Sequence, residues 1–265
     1  MDTRPIGIFD SGVGGLTVFS KIVKTLEFEN IIYLGDTKQF PYGSRSKQTI
    51  IELSKKNIEF LISKGVKAVV IACGTATSQA LEELKDKYNI PIMGIIEPTA
   101  LGIAKETNVK KIGVIATTGT IRSGAWEKKL KENIENIEVL NKACPLLAQV
   151  AEEGWIDNEI AELIIKEYMK ELKESEIEKL ILGCTHYPLF KNLLKKEFGD
   201  NVEIVDTGEK VGIALKELLK EKGIENLDEK SPEYKFYLTD TEDEFVNVAN
   251  KFLDMKVEIE KVVID

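Results

Sequence analysis

Cysteine and histidine are scarce in this chain, and each scarcity excludes something. Cys73, Cys144 and Cys184 are the only cysteines in 265 residues. An odd, sparse count makes no disulfide framework and fits a reducing compartment. His186 is the single histidine, and without a CxxC or HxxxH cluster there is no local pair of zinc-type ligands. No apolar run approaches the ~18 residues of a membrane helix, and the opening MDTRPIGIFDSG has no basic stretch ahead of an apolar one. Positive charge is also in deficit: 36 Lys and Arg against 45 Asp and Glu leave −9. A nucleic-acid ligand wants a basic footprint, so none is expected. An acidic substrate stays open, because a pocket can be locally positive in an acidic protein. The expectation is a soluble cytoplasmic protein with no membrane partner.

Several catalytic signatures are missing too. The sequence has no Walker lysine, GxSxG elbow, HExxH or EF-hand loop. No lysine stands in a context that marks it for pyridoxal phosphate. No cofactor and no metal are expected.

What is present is an α/β pattern. A hydrophobic fraction of 43% supplies a full core. Short apolar runs at 6–9, 31–34, 68–72, 92–95, 111–116, 179–182 and 202–205 read as strands of mainly parallel sheets flanked by helices. Between them lie amphipathic stretches, including 46–65 and 152–172. In the second, Ile156, Ile160, Ile164 and Tyr168 repeat every four residues, and Leu163 and Leu172 widen the stripe. Near the end, 234–239 and 257–264 read as strands, the latter at an edge, around a helical pattern at Phe245, Val248, Ala249 and Phe252. There is an internal echo: RPIGIFDSG (4–12) resembles KKIGVIATTGT (110–120), and KAVVIACGTAT (67–77) resembles EKLILGCTHYP (178–188). Two pseudo-symmetric domains are therefore expected, 1–97 plus 206–265 and 98–205, with a ligand cleft between the carboxyl ends of their strands.

The echo duplicates a device, an apolar strand that ends in cysteine followed by threonine. One free cysteine is ordinarily a small buried hydrophobe. Two in matched positions, Cys73 and Cys184, suggest acid–base work. A metal site of Cys73, Cys184, His186 and Asp10 is the alternative, weakened by the ligand spacing. Cys144 follows the more polar IEVLNKA and reads as core. A thiol near pKa 8.5 is mostly protonated at neutral pH, so a helix N-terminus or an imidazolium would have to lower it. His186, two residues from Cys184, shares its face in an extended segment. Two thiols facing one carbon from opposite sides would remove a proton on one face and deliver one on the other.

Other strand ends fit this cleft. In GIFDSGVGGLTV, Asp10 and Ser11 precede a GxGG turn that could present backbone N–H groups to an anion. Asp10 reads either as an N-cap or as a group that orients a substrate ammonium or tunes Cys73. Pro41, Tyr42 and Gly43 form a tight loop or a pocket wall. Thr117, Thr118 and Thr120 offer hydroxyls for a carboxylate. Glu152 and Glu153 read as solvent-facing residues at a helix start unless they shape the rim.

Together, GIFDSGVGGLTV (7–18), GDTKQFPYGSRS (35–46), VVIACGTATSQAL (69–81), GVIATTGTIRSGAW (113–126), ACPLLAQVAEEG (143–154) and the stretch around LGCTHYP (182–188) resemble the glutamate racemases of the aspartate/glutamate racemase superfamily, in order along the chain. The resemblance implies cofactor-independent interconversion of L- and D-glutamate for peptidoglycan, in a protein often found as a homodimer. By that resemblance Cys73 takes the proton from D-glutamate and Cys184 from L-glutamate, with Asp10 assisting Cys73 and His186 assisting Cys184. Asp10, Ser11, Pro41, Tyr42, Gly43, Gly74, Thr75, Thr117, Thr118, Thr185 and His186 would surround the substrate, and Glu152 matches an acidic position near the active site. One departure stands out. The family's Cys-Asn-Thr is here CGT, with Gly74 in place of asparagine. A lost hydrogen-bond partner costs about 1–3 kcal/mol, and glycine loosens a turn. A weakened enzyme, one rescued by a neighbouring group, and a relative with another acidic amino acid as substrate are the competing explanations. Retention of both thiols and Asp10 favours activity over a noncatalytic amino-acid or partner-binding scaffold.

Overall fold

The computed structural model describes residues 1–106, 109–240, 249, 253 and 257–264. The helical pattern expected around Phe245, Val248 and Phe252 lies outside the described residues, and Ala249 alone of that group is described. Two wholly parallel sheets form the frame. The first contains β1 (Ile6–Asp10), β2 (Ile31–Gly35), β3 (Ala68–Ile71), β4 (Ile92–Gly94), β9 (Tyr234–Leu238) and β10 (Ile259–Lys261), ordered β10-β9-β2-β1-β3-β4. The second contains β5 (Lys111–Ala116), β6 (Glu138–Ala143), β7 (Lys179–Leu182) and β8 (Glu203–Val205), ordered β6-β5-β7-β8.

The order β2-β1-β3-β4 repeats as β6-β5-β7-β8. The sequence echo therefore pairs β1 with β5 and β3 with β7, neighbouring interior strands of each sheet. Their residues are almost entirely buried, which is why they read as continuous apolar runs rather than alternating ones. In each sheet the chain leaves the first strand in one direction for the second and crosses back for the third. The crevices at these switch points, β1/β3 and β5/β7, are where open α/β sheets hold ligands. Cys73 and Cys184 lie two residues beyond the ends of β3 and β7.

Helices cover the faces. α1 (Leu16–Thr25) and α10 (Thr207–Lys222) pack together on the first sheet, burying Phe19, Ile22, Val211 and Leu215 with Tyr33 and Phe236. α2 (Lys47–Ser63) and α3 (Gly74–Leu84) cover its other face, and α4 (Ile96–Glu106) leads towards the second sheet. There α5 (Thr118–Ser123), α6 (Ala125–Asn133), α7 (Pro145–Glu152), α8 (Glu159–Glu174) and α9 (Lys191–Phe198) surround β5–β8. Side-chain caps mark several starts: Ser46 accepts from the Thr49 N–H, and Asn158 from the Ala161 N–H.

Three sequence expectations are corrected. The stretch before Cys144 is a strand, β6, which its polarity disguised. It is an edge strand with intermediate burial, so only part of it needs apolar side chains. The segment 152–172 is not one helix but the end of α7, a turn with Gly154 at φ 71°, and α8. The apolar stripe of α8 is also rotated from the one expected. Ala161, Ile165, Met169 and Leu172 are buried, while Ile160 and Leu163 are exposed.

Candidate active site

Because every strand in both sheets is parallel, all the carboxyl ends of a sheet lie along one edge, and the two edges face each other. Between them is a cavity of about 300 Å³. From the first sheet come Ser11 after β1, the loop of Pro41, Tyr42 and Gly43 after β2, and Cys73, Gly74 and Thr75 after β3. From the second come Thr117 and Thr118 after β5, and Cys184, Thr185 and His186 after β7. Both thiols thus reach one cavity from opposite sheets. Among the described residues no group of three His, Cys, Asp or Glu side chains is placed to hold a metal ion.

Cys73 stands immediately before α3, and its thiol is 3.7 Å from Ser11 Oγ. Burial pushes it up to about 12, and the Asp10 carboxylate adds to the rise; the Ala76 N–H and Ser11 pull the other way. The expected lowering by a helix N-terminus is therefore overcome by desolvation and a nearby negative charge. In the resting site Cys73 carries its proton. Asp10 is fully buried and does not line the cavity. Its Oδ2 accepts from the Gly12 N–H at 3.0 Å and its Oδ1 from the Thr185 hydroxyl at 3.1 Å. Its oxygens thus tie the two halves of the site together, and its charge bears on Cys73. Burial raises Asp10 itself, opposed by His186 and by its hydrogen-bond donors.

Cys184 Sγ lies 3.7 Å from His186 Nδ1, and His186 Nε2 lies 2.5 Å from Glu152 Oε1. Burial alone would keep His186 neutral, but the Glu152 carboxylate and Cys184 outweigh it and hold the imidazole well above its ordinary value. Glu152 is thus not a solvent-facing residue at a helix start. It ends α7, and the fold turns it onto His186; like Asp10, it lies behind the cavity wall. Glu153, at the cap, is exposed. The Phe40 ring packs on the imidazole with centroids 5.6 Å apart.

Not every hydroxyl is available to a ligand. Thr75 and Thr117 Oγ1 are 2.8 Å apart, joining the sheets across the cleft, and Thr120 is buried behind them. The Tyr42 hydroxyl donates to Asp36 Oδ2 at 2.5 Å and accepts from Asn57. Thr239, just beyond β9, donates to Asp36 Oδ1 at 2.8 Å, so Tyr42 contributes its ring and backbone while its hydroxyl anchors the loop. Cys144 lies in the apolar cluster of the second sheet and does not line the cavity.

Sequence reasoning missed Arg45 and Arg122, which line the cavity from opposite sheets, as well as Phe40 and Gln149. A signal existed. Arginine occurs only at 4, 45 and 122, so two of three line this cavity, where among the described residues no carboxylate does.

A sequence model of the Asp/Glu/Hydantoin racemase family matches residues 6–211, and the chain belongs to that family. The particular relatives are glutamate racemases. That of Geobacter metallireducens is 41% identical over 257 residues, covering 97% of this chain and 95% of that protein. The crystal structure of a glutamate racemase isoform from Bacillus anthracis aligns with TM-score 0.94 at 38% identity, covering 99% of this chain and 98% of that one. The glutamate racemase of Francisella tularensis in complex with D-glutamate aligns with TM-score 0.92 at 37% identity, covering 100% and 99%.

Proposed function

We propose that this chain interconverts L- and D-glutamate by a two-cysteine proton transfer at the α-carbon. The observation that carries the reading is the delivery of two buried thiols to one cavity from opposite sheets. In the L-to-D direction the Cα–H bond breaks and its proton passes to Cys184 Sγ, while the pair is left on Cα. The Cys73 S–H bond breaks on the other face, its proton forms the new Cα–H bond, and a Cys73 thiolate remains. The D-to-L direction exchanges these roles. His186, held charged by Glu152, stabilises negative charge on the Cys184 sulfur; Asp10 favours the protonated Cys73 from which the step starts. Developing carbanion charge needs preorganised donors in a water-poor site. Peptidoglycan supply is the corresponding use of D-glutamate.

Three coarser features belong to the same reading. Residues 1–97 with 206–265 form one domain and 98–205 the other. The protein acts in the cytoplasm; among the described residues no helix is long and apolar enough to cross a membrane. It works as a homodimer, for which exposed Leu146 and Trp155 offer apolar surface.

Proton NMR in D₂O with chiral analysis tests the chemistry. Reduced protein incubated with L-glutamate should lose the α-proton signal and form D-glutamate, and Cys73→Ala and Cys184→Ala should each abolish product. Turnover of L-aspartate alone would reassign the substrate, and no exchange with either by folded protein with free thiols would reject the racemase reading.

A further inference from the structure

Thr185 stands between Cys184 and His186, and its carbonyl lacks the partner its own turn should supply. These three residues lead into a 3-10 turn at Tyr187–Phe190, where each carbonyl takes the N–H three residues on. The Tyr187 N–H donates to the Cys184 carbonyl at 3.1 Å, and the Leu189 N–H to the His186 carbonyl at 3.2 Å. The matching donor for Thr185 would be residue 188, which is proline and has no N–H. Thr185 is buried, and a buried carbonyl without a donor is costly.

The donor comes from the other half of the molecule. Thr17, the second residue of α1, is buried, and its hydroxyl donates to the Thr185 carbonyl at 2.9 Å. The same hydroxyl lies 2.9 Å from the Gly14 carbonyl. That acceptor also receives the Thr17 backbone N–H at 3.0 Å, so the side chain matters most at Thr185. The two loops are in close contact around this bond. A Cβ at position 14 would lie 2.5 Å from His186 Nδ1 and 2.7 Å from Thr185 Oγ1. Asp10 holds the Thr185 side chain, and Thr17 holds its backbone.

We propose that Thr17 is a positioning residue: its hydroxyl holds the Thr185 carbonyl and so fixes where Cys184 and His186 stand in the cavity. The inference rests on the reading of Cys184 as one of the two bases. The Thr185 carbonyl belongs to the planar peptide unit that joins Thr185 to His186. Without its donor that plane turns to find another partner, and it carries the imidazole, 3.7 Å from Cys184 Sγ, with it. A misplacement of ~1 Å at reacting groups can cost ~10²-fold. Thr17 itself does not line the cavity, so removing its hydroxyl takes no direct contact from the substrate. The loss belongs in kcat rather than KM.

The experiment compares the parent with Thr17→Val, Thr17→Ala and Thr17→Ser in L-to-D and D-to-L glutamate turnover, with thermal unfolding as a fold control. T17V keeps the shape without the hydroxyl, T17A removes both hydroxyl and methyl, and T17S keeps the hydroxyl alone. The expected result is a fall in kcat of about tenfold in T17V and T17A, with KM within about threefold. T17S should retain kcat within about threefold of the parent. The enantiomers are equal in energy in water, so kcat/KM must fall by one factor in both directions. If T17V does not fold, T17A is read in its place. A fall of less than about threefold in kcat, or a change confined to KM, overturns the proposal. So does a T17S that falls with the other two, because the methyl group and not the hydroxyl would then be acting. Loss of the fold in both T17V and T17A also overturns it, since Thr17 would then be structural. An inactive parent with free thiols would instead reject the racemase reading, which keeps the two failures apart.

Discussion

At the scale of single residues, the electrostatics of the site are asymmetric although its backbone is repeated. Cys73 faces a carboxylate and keeps its proton, whereas Cys184 faces an imidazole held charged by Glu152. A histidine whose folded pKa is raised contributes stability that is complete below its unfolded pKa of about 6.5 and is lost as pH rises through the folded value. Glu152→Gln keeps an acceptor and removes the charge. It should therefore be less stable than the parent by ~1.4 kcal/mol for each pKa unit that Glu152 contributes at about pH 6, and the difference should shrink at alkaline pH. Urea unfolding at the two pH values measures this, and an equal deficit at both would assign Glu152 a role independent of His186 charge.

At the scale of elements, α8 is the sharpest case. Its sequence offers two neighbouring stripes, and period alone selects neither when apolar residues occur on both. The packed face is fixed by what lies beneath: Ile165 and Met169 are buried in the cluster with Leu180 and Leu182 of β7, while Leu163 is 67% exposed. Ile165→Ala should cost about 2–5 kcal/mol of stability, and Leu163→Ala within about 0.5 kcal/mol of nothing. Chemical unfolding of the two variants checks the ordering, and a larger loss at Leu163 would contradict the observed face. The same reasoning explains β6: an edge strand with intermediate burial carries too little apolar pattern to declare itself, while β1, β3, β5 and β7 were legible because central parallel strands must be apolar on both faces.

At the scale of the whole molecule, a chain of net charge −9 must admit an acidic amino acid. Arg45 and Arg122 face the cavity from the two halves, with no lining carboxylate among the described residues to offset them. Both are exposed, so they act at the mouth, where fields steer ligands and salt screens them over about 8 Å at physiological ionic strength. Arg45→Gln with Arg122→Gln should lower kcat/KM for glutamate about tenfold at low salt, mainly through KM, and flatten its dependence on ionic strength. Steady-state kinetics across a salt series measures it, and an unchanged salt slope would remove the arginines from substrate capture.

The sequence by itself determined the α/β class, the central strands, the repeated cysteine device and most residues of the cavity wall, because buried strands and the polar turns that end them follow local rules of apolarity and turn chemistry. Only the tertiary structure decided what those residues do to one another. Glu152 meets His186 across 34 positions of sequence, and Thr185 meets Asp10 across 175. Desolvation, which lifts Cys73 against its helix N-terminus, depends on everything packed around the thiol.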